Sequence, residues 1–337
     1  MTDPIVALSR ERIERGSKSF AGAARILEPD MRDSAYMLYA WCRHCDDVID
    51  GQELGFVAAP GTVHSSPAAL ARLRRQTEAA LAGNPDEAVF EALHRVVTKH
   101  AIPDRHPLEL IAGFAMDVEG RTYHTLEDTL GYCYHVAGVV GVMMAMIMGV
   151  RERETLNRAA DLGIALQLTN ISRDVVPDAL AGRIYLPADW LAEAGLSHAT
   201  IADPANRRAL HGVIQRLLDA ADRYYVSARY GLPHLPLRAA WAVAAARSIY
   251  RDIGNIVRRR RHRAWDERAV VGRSRKIADA AYAGLSVGRA HLSGAIKAPR
   301  SREGLWTHPA LGGPPADATT ERPGAGGARG DSRSGSM

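Results

Sequence analysis

The stretch Gln167-Leu-Thr-Asn170-Ile-Ser-Arg173-Asp174-Val-Val-Pro177-Asp178 places Asn170, Asp174 and Asp178 at i, i+4 and i+8, on one stripe of a helix. Like charges four apart on a helix repel, costing about 0.2–0.5 kcal/mol per pair. A second acidic group, Asp46-Asp47-Val48-Ile49-Asp50, ends another segment of helical period, and there Asp46 and Asp50 share a face. With no basic partner on the same stripe, the repulsion implies a cation. Oxygen donors alone suit a hard ion, Mg²⁺ or Mn²⁺, rather than zinc. Mg²⁺ commonly bridges one or two carboxylates to substrate phosphates, so two facing acidic helix ends would make a diphosphate-binding mouth. Either cluster alone reads equally well as a solvated acidic face. Arg43 and Arg173 stand beside the two clusters.

Outward from these stripes, most of the chain reads as helix. Apolar residues recur three and four apart, as at Ala35, Leu38, Tyr39 and Cys42. Helical segments are predicted near 4–16, 31–50, 67–83, 87–101, 107–118, 126–149, 152–178, 205–228, 236–258 and 274–296. Breakers such as Glu28-Pro29-Asp30 and Ile102-Pro103-Asp104 fall between them. Residues 51–66 read as a loop. The 337 residues are 47% hydrophobic and 24% charged, which excludes collagen-like, disordered and disulfide-scaffold classes for the whole chain. Residues 299–337 hold 8 Gly and 5 Pro with few aliphatics, and are expected to be a disordered tail behind one all-α domain, 1–298.

The net charge is +5, and the basic residues are 4 Lys against 39 Arg. That excess is too mild to imply nucleic acid, although guanidinium suits bidentate recognition of phosphate. Cys42, Cys45 and Cys133 cannot make a disulfide framework, and Cys42-x-x-Cys45 reads as two ordinary helix cysteines. The N-terminus has no apolar signal region. The longest apolar run, Val136–Val150, is 15 residues and interrupted by glycine, short of a membrane span. The expectation is a cytoplasmic protein.

Across roughly residues 10–290 the ordered motifs resemble those of the squalene/phytoene synthase family of head-to-head isoprenyl transferases. The matching stretches are Ser17-Lys18-Ser19-Phe20, Tyr39-Ala-Trp-Cys-Arg43, Asp46-x-x-x-Asp50 and Tyr132-Cys-Tyr134-His-Val-Ala-Gly138-Val-Val-Gly141. They continue with the 167–178 stretch, Gly182-Arg183-Ile184-Tyr185-Leu186-Pro187 and Tyr250-Arg251-Asp252-Ile253. Asp46-Asp47-x-x-Asp50 also satisfies the DDxxD of head-to-tail prenyltransferases, but the second cluster does not repeat it. The Asn-x3-Asp-x3-Asp spacing echoes terpene cyclases, and the flanking motifs favour head-to-head condensation.

The resemblance implies an all-α, isoprenoid (terpenoid) synthase-like helical bundle with a central cavity. It implies Mg²⁺ ligation by Asp46, Asp50, Asn170, Asp174 and Asp178, with Mn²⁺ as a substitute and no NAD(P)H. It implies substrate contacts from Ser17, Lys18, Ser19, Phe20, Tyr39, Arg43, Gln167, Arg173 and Tyr250, and places Tyr132 and Tyr134 near the cation or the departing proton. Asn170-Ile-Ser-Arg173-Asp174 followed by the 182–187 motif is most similar to bacterial members that make phytoene from two molecules of geranylgeranyl diphosphate. Members that make squalene or dehydrosqualene from farnesyl diphosphate, and a catalytically silent binding factor, are the alternatives. Arg258–Arg263 then reads as a solvated basic face or as a peripheral contact with the inner face of the membrane, where lipidic substrates reside. Arg268 and Lys276 are placed near the diphosphate region. Met143, Met144, Met146 and Met148 are expected as core filling. Pro177 departs from the family pattern and is expected to kink or end its helix, leaving Asp178 to reach the mouth from the last turn.

Overall fold

A computed structural model describes residues 3–53, 56–57, 66–293 and 301–312. Helix starts carry recognisable signals. Asp3 caps α1 (Pro4–Gly16), Ser17 caps α2 (Lys18–Ala24), and Pro29 opens α3 (Pro29–Asp50), which Gly51 ends in the left-handed conformation. Then follow α4 (Pro67–Leu81), α5 (Ala88–Lys99), α6 (Arg105–Val118), and α7 (Leu126–Cys133), the last begun by a Thr125–Asp128 capping box. A π-helical turn, Tyr134–Gly138, joins α7 to α8 (Val139–Ile147). The chain continues through α9 (Arg153–Leu180), α10 (Ala188–Glu193), α11 (Arg207–Ala228), α12 (Leu237–Arg260) and α13 (Arg273–Ser293).

The architecture is all-α. The short helices α2 and α10 were not expected from periodicity. A two-residue antiparallel ladder, β1 (Gln52–Glu53) with β2 (Phe56–Val57), lies within the predicted 51–66 loop. Residues to Trp306 form one unit. Of a second, 307–337, only 307–312 are described, with the single turn α14 (Pro309–Gly312). The tail expected on composition from 299 therefore overlaps the first unit, where Arg302 pairs with the buried Asp161 on α9. Residues 313–337 lie outside the described residues.

Helix α9 is the axis of the bundle, packed by α7, α8, α11 and α12. It lacks a single apolar stripe because neighbours surround it, and Leu156, Ile164, Leu168, Ile171 and Val175 are all buried. The π turn and α8 approach α9 at backbone distance. A Cβ added to Gly163 would fall 2.3 Å from the Ala137 carbonyl oxygen, and one on Gly141 2.4 Å from that of Ala159. The glycines are a condition of this packing. Leu126–Ile147 is long and apolar enough to cross a membrane by length and composition, but 61% of its most apolar window is buried in the bundle.

Pro177 lies inside α9 without ending it. The helix continues to Leu180, Gly182 takes a positive φ of 79°, and Arg183 N donates to Asp178 O at 2.8 Å. Asp178 thus stays on the last turn of α9, in helical register with Asp174.

Candidate active site

A cavity of about 980 Å³ runs between α3, α9 and α12. Along α3 the lining passes from Ala35 and Leu38 to Asp46 and Asp50; along α9 it passes from Leu162 and Leu166 to Asn170, Asp174 and Asp178. Both helices are therefore apolar early and acidic at their C-terminal ends. Carboxylates there oppose the helix dipole, at roughly 0.3–1 kcal/mol each, which favours a functional explanation for them.

The sequence places no basic partner on the acidic stripes themselves, and the structure corrects this. Arg43 Nη1 lies 3.0 Å from Asp46 Oδ2, and Arg183 Nη1 donates to Asp50 Oδ1 at 2.6 Å. Arg268 Nη2 donates to Asp174 Oδ2 at 3.1 Å, and Arg173 pairs with the same carboxylate. Burial pushes Asp46 up to about 7, helped by Asp50, and burial with the neighbouring Asp174 pushes Asp178 to about 7. Burial also raises Asp174, but Arg173 and Arg268 outweigh it and hold the carboxyl below its ordinary value.

The donor set suits a hard divalent ion. Four carboxylates and the buried Asn170 Oδ1, which has no hydrogen-bond partner, line one cavity. Among the described residues no three acidic, His or Cys side chains form a ready-made cage.

The remaining predicted residues divide. Ser17, Phe20, Tyr39, Gln167, Arg173, Tyr250 and Tyr132 all line the cavity. Phe20 packs between Tyr39 and Tyr250, with ring centroids 6.2 and 5.8 Å away. Burial pushes the Tyr39 phenol up to about 12. The side chains of Lys18 and Ser19 lie outside the described residues. Tyr134 is not in the cavity lining: its hydroxyl donates to Glu109 Oε2 at 3.0 Å and its ring meets Trp306. Met144 and Met148 line the cavity, whereas Met143 and Met146 are buried without lining it, so the methionine cluster is only partly core filling. Cys42 lines the cavity and Cys45 is buried; both are free thiols. Arg258, expected on a solvated or membrane-facing run, turns toward α11 and pairs with Asp219 and Asp222 at 2.7 and 3.0 Å.

Asp117, Arg183 and Tyr185 also line the cavity, without a role assigned to them from sequence. Arg183 and Tyr185 belong to the quoted 182–187 motif, which was their signal. Asp117 had none. Its carboxylate accepts from Tyr132 Oη at 3.1 Å and from Tyr185 Oη at 3.0 Å, beneath a stacked Tyr132–Tyr185 pair at 4.6 Å. Arg268 and Lys276, placed near the diphosphate region from sequence, do line the cavity.

A helical bundle enclosing an apolar cavity with two acidic helix ends and an arginine set defines an isoprenoid synthase fold. The squalene/phytoene synthase profile matches residues 13–275, and the chain belongs to that family. It is 51% identical over 306 residues to a 15-cis-phytoene synthase of Paracoccus sp., covering 90% of this chain and 98% of that one. It is 50% identical to a 15-cis-phytoene synthase of Enterobacter agglomerans, covering 88% of this chain and 100% of the relative. Among solved structures, a dehydrosqualene synthase superposes with a TM-score of 0.75 at 28% identity, over 85% of this chain and 97% of that one. A squalene synthase from Alicyclobacillus acidocaldarius gives 0.67 at 25% identity, over 76% and 94%.

Proposed function

We propose that this chain is a phytoene synthase, a prenyltransferase of carotenoid biosynthesis that condenses two geranylgeranyl diphosphates head to head. About 50% identity to 15-cis-phytoene synthases over nearly their whole length carries this reading. Condensation forms a cyclopropylcarbinyl diphosphate, prephytoene diphosphate, with loss of one diphosphate. Ionisation and rearrangement release the second, and proton loss rather than hydride capture gives phytoene, so no NAD(P)H is used.

The residues support each task. Asp46, Asp50, Asn170, Asp174 and Asp178 would hold Mg²⁺, or Mn²⁺ in its place, which supplies charge neutralisation at the leaving diphosphate when bound. Arg43, Arg173, Arg183 and Arg268 surround the same mouth and offer forked donors to phosphate oxygens. Leu162, Leu166, Val140 and Met144 line the apolar part, which keeps water from an allylic cation. Incubation with geranylgeranyl diphosphate and Mg²⁺ tests the reading. One C40 hydrocarbon and two diphosphates are expected per pair of substrates, and neither should form with EDTA.

The reading extends to a cytoplasmic enzyme resting on the inner face of the membrane. Helix α13 buries Ala283 and Val287 but exposes Ile277, Tyr282 and Leu285 at 62, 72 and 70%. Val270, also exposed, and Lys276 line the cavity, so this apolar arc adjoins the cavity lining. The exposed Arg273 adds charge suited to an anionic bilayer. Sedimentation with anionic vesicles is expected to carry the protein down, and Leu285→Glu with Ile277→Glu to release it; equal sedimentation of the variant would count against this surface.

A further inference from the structure

We propose that Asp117 is the catalytic base that receives the proton lost as the central double bond of the product forms. The inference rests on the head-to-head reading above and assigns that reaction's last step to a residue.

Asp117 sits on the last turn of α6 and lines the cavity. Asp46, Asp50 and Asp174 each face a guanidinium, whereas both hydrogen bonds of Asp117 among the described residues come from phenols. Tyr132 from α7 and Tyr185 from the segment after α9 each donate to a different carboxylate oxygen, so each oxygen keeps a lone pair. Tyr123 packs against both rings, at 5.3 and 6.0 Å. The aromatic wall favours a nearby carbocation through its ring faces.

The phenols themselves are poor acceptors. Each already donates its hydrogen to Asp117, and burial pushes both well above the ordinary tyrosine value, so they stay protonated. Burial raises Asp117 to about 6, with the Tyr185 hydrogen bond and Arg183 opposing and Asp50 adding to the shift. A carboxylate in that range is ionised at neutral pH yet basic enough to accept a proton. In the step, the C–H bond beside the central cation breaks and its electron pair becomes the second bond of the central C=C. The proton bonds to the Asp117 carboxylate and leaves to water after the hydrocarbon departs.

The test uses the purified full chain with geranylgeranyl diphosphate and Mg²⁺, following hydrocarbon, cyclopropylcarbinyl diphosphate and C40 alcohols by mass spectrometry. In Asp117→Asn the cyclopropylcarbinyl diphosphate is expected to form still. Hydrocarbon should fall by about 100-fold or more, with water-captured alcohols in its place. Asp117→Glu, which restores a base, is expected to recover hydrocarbon at least tenfold over Asp117→Asn. An unchanged hydrocarbon share in Asp117→Asn overturns the proposal. So does an equal loss of both half-reactions without recovery by Glu, since that marks a structural role. If Asp117→Asn does not fold, Asp117→Ser, which removes the base but keeps a small polar partner for the two phenols, takes its place. A lower hydrocarbon share is then expected, and an unchanged share overturns the proposal. A wild-type chain that gives no C40 product overturns the functional reading itself.

Discussion

Arg183 Nη1 lies 2.6 Å from Asp50 Oδ1, tying the loop after α9 to the end of α3 across 133 residues of sequence. The pair fixes the two acidic helix ends relative to each other. It also holds a guanidinium at the mouth: the Asp50 carboxylate outweighs burial and leaves Arg183 charged at any working pH. Arg183→Ala is expected to lower kcat/KM for prenyl diphosphate by about 100-fold, the usual loss for one donor aimed at developing negative charge. Steady-state diphosphate release measures it, and Arg183→Lys should recover only part of the loss because the fork is gone.

Asp178 keeps its place on the acidic stripe despite Pro177. Asp178→Asn and Asp174→Asn are therefore both expected to reduce diphosphate release by 100-fold or more, roughly the effect of removing one electrostatic contact. Full activity in Asp178→Asn beside an inactive Asp174→Asn would remove Asp178 from the proposed set of cation ligands.

Partial burial and the neighbouring Asp50 push the Asp46 carboxyl up to about 7 from an ordinary 3.8. Between those values the folded state holds more protons than the unfolded one, so without a cation stability falls as pH rises through that window. Asp46→Asn removes the effect. In EDTA, the Tm of Asp46→Asn minus that of wild type is expected to be larger at pH 8 than at pH 5, and added Mg²⁺ should narrow the gap at pH 8. An equal difference at both pH values would contradict the half-buried, like-charged setting of Asp46.

Arg302 places two hydrogen bonds, of 2.9 and 2.6 Å, on Asp161, which is 0% exposed, and Asp161 also accepts from Ser227. Removing one partner of a buried ion pair costs about 3–5 kcal/mol. Arg302→Ala should lose about that much in urea unfolding while the folded fraction keeps its turnover, because Arg302 does not line the cavity.

The acidic stripes were legible because helical period alone aligns Asp46 with Asp50 and Asn170 with Asp174 and Asp178. Their arginine partners were only partly so: Arg268 is placed near the diphosphate region, but its pairing with Asp174 spans 94 residues that no local spacing links. Tyr132 and Tyr134 could have been separated beforehand. Two positions on a helix differ by about 200°, so one faces the cavity and the other turns away from it, here into the packing against Glu109 and Trp306. Asp117 sits in Gly113-Phe-Ala-Met-Asp117-Val-Glu-Gly120, where no spacing marks it; only the fold brings Tyr132 and Tyr185 to it. The composition that suggested a tail from 299 could not show that Arg302 is the partner of a buried aspartate.

The central claim is most directly tested by competition. Purified protein would receive equimolar geranylgeranyl and farnesyl diphosphate with Mg²⁺ and no NADPH, and hydrocarbon products would be resolved by mass. The account predicts a C40 hydrocarbon, phytoene, as the dominant product. A dominant C30 hydrocarbon would contradict the substrate assignment, and no hydrocarbon from folded, metal-supplied protein would contradict the enzyme reading as a whole.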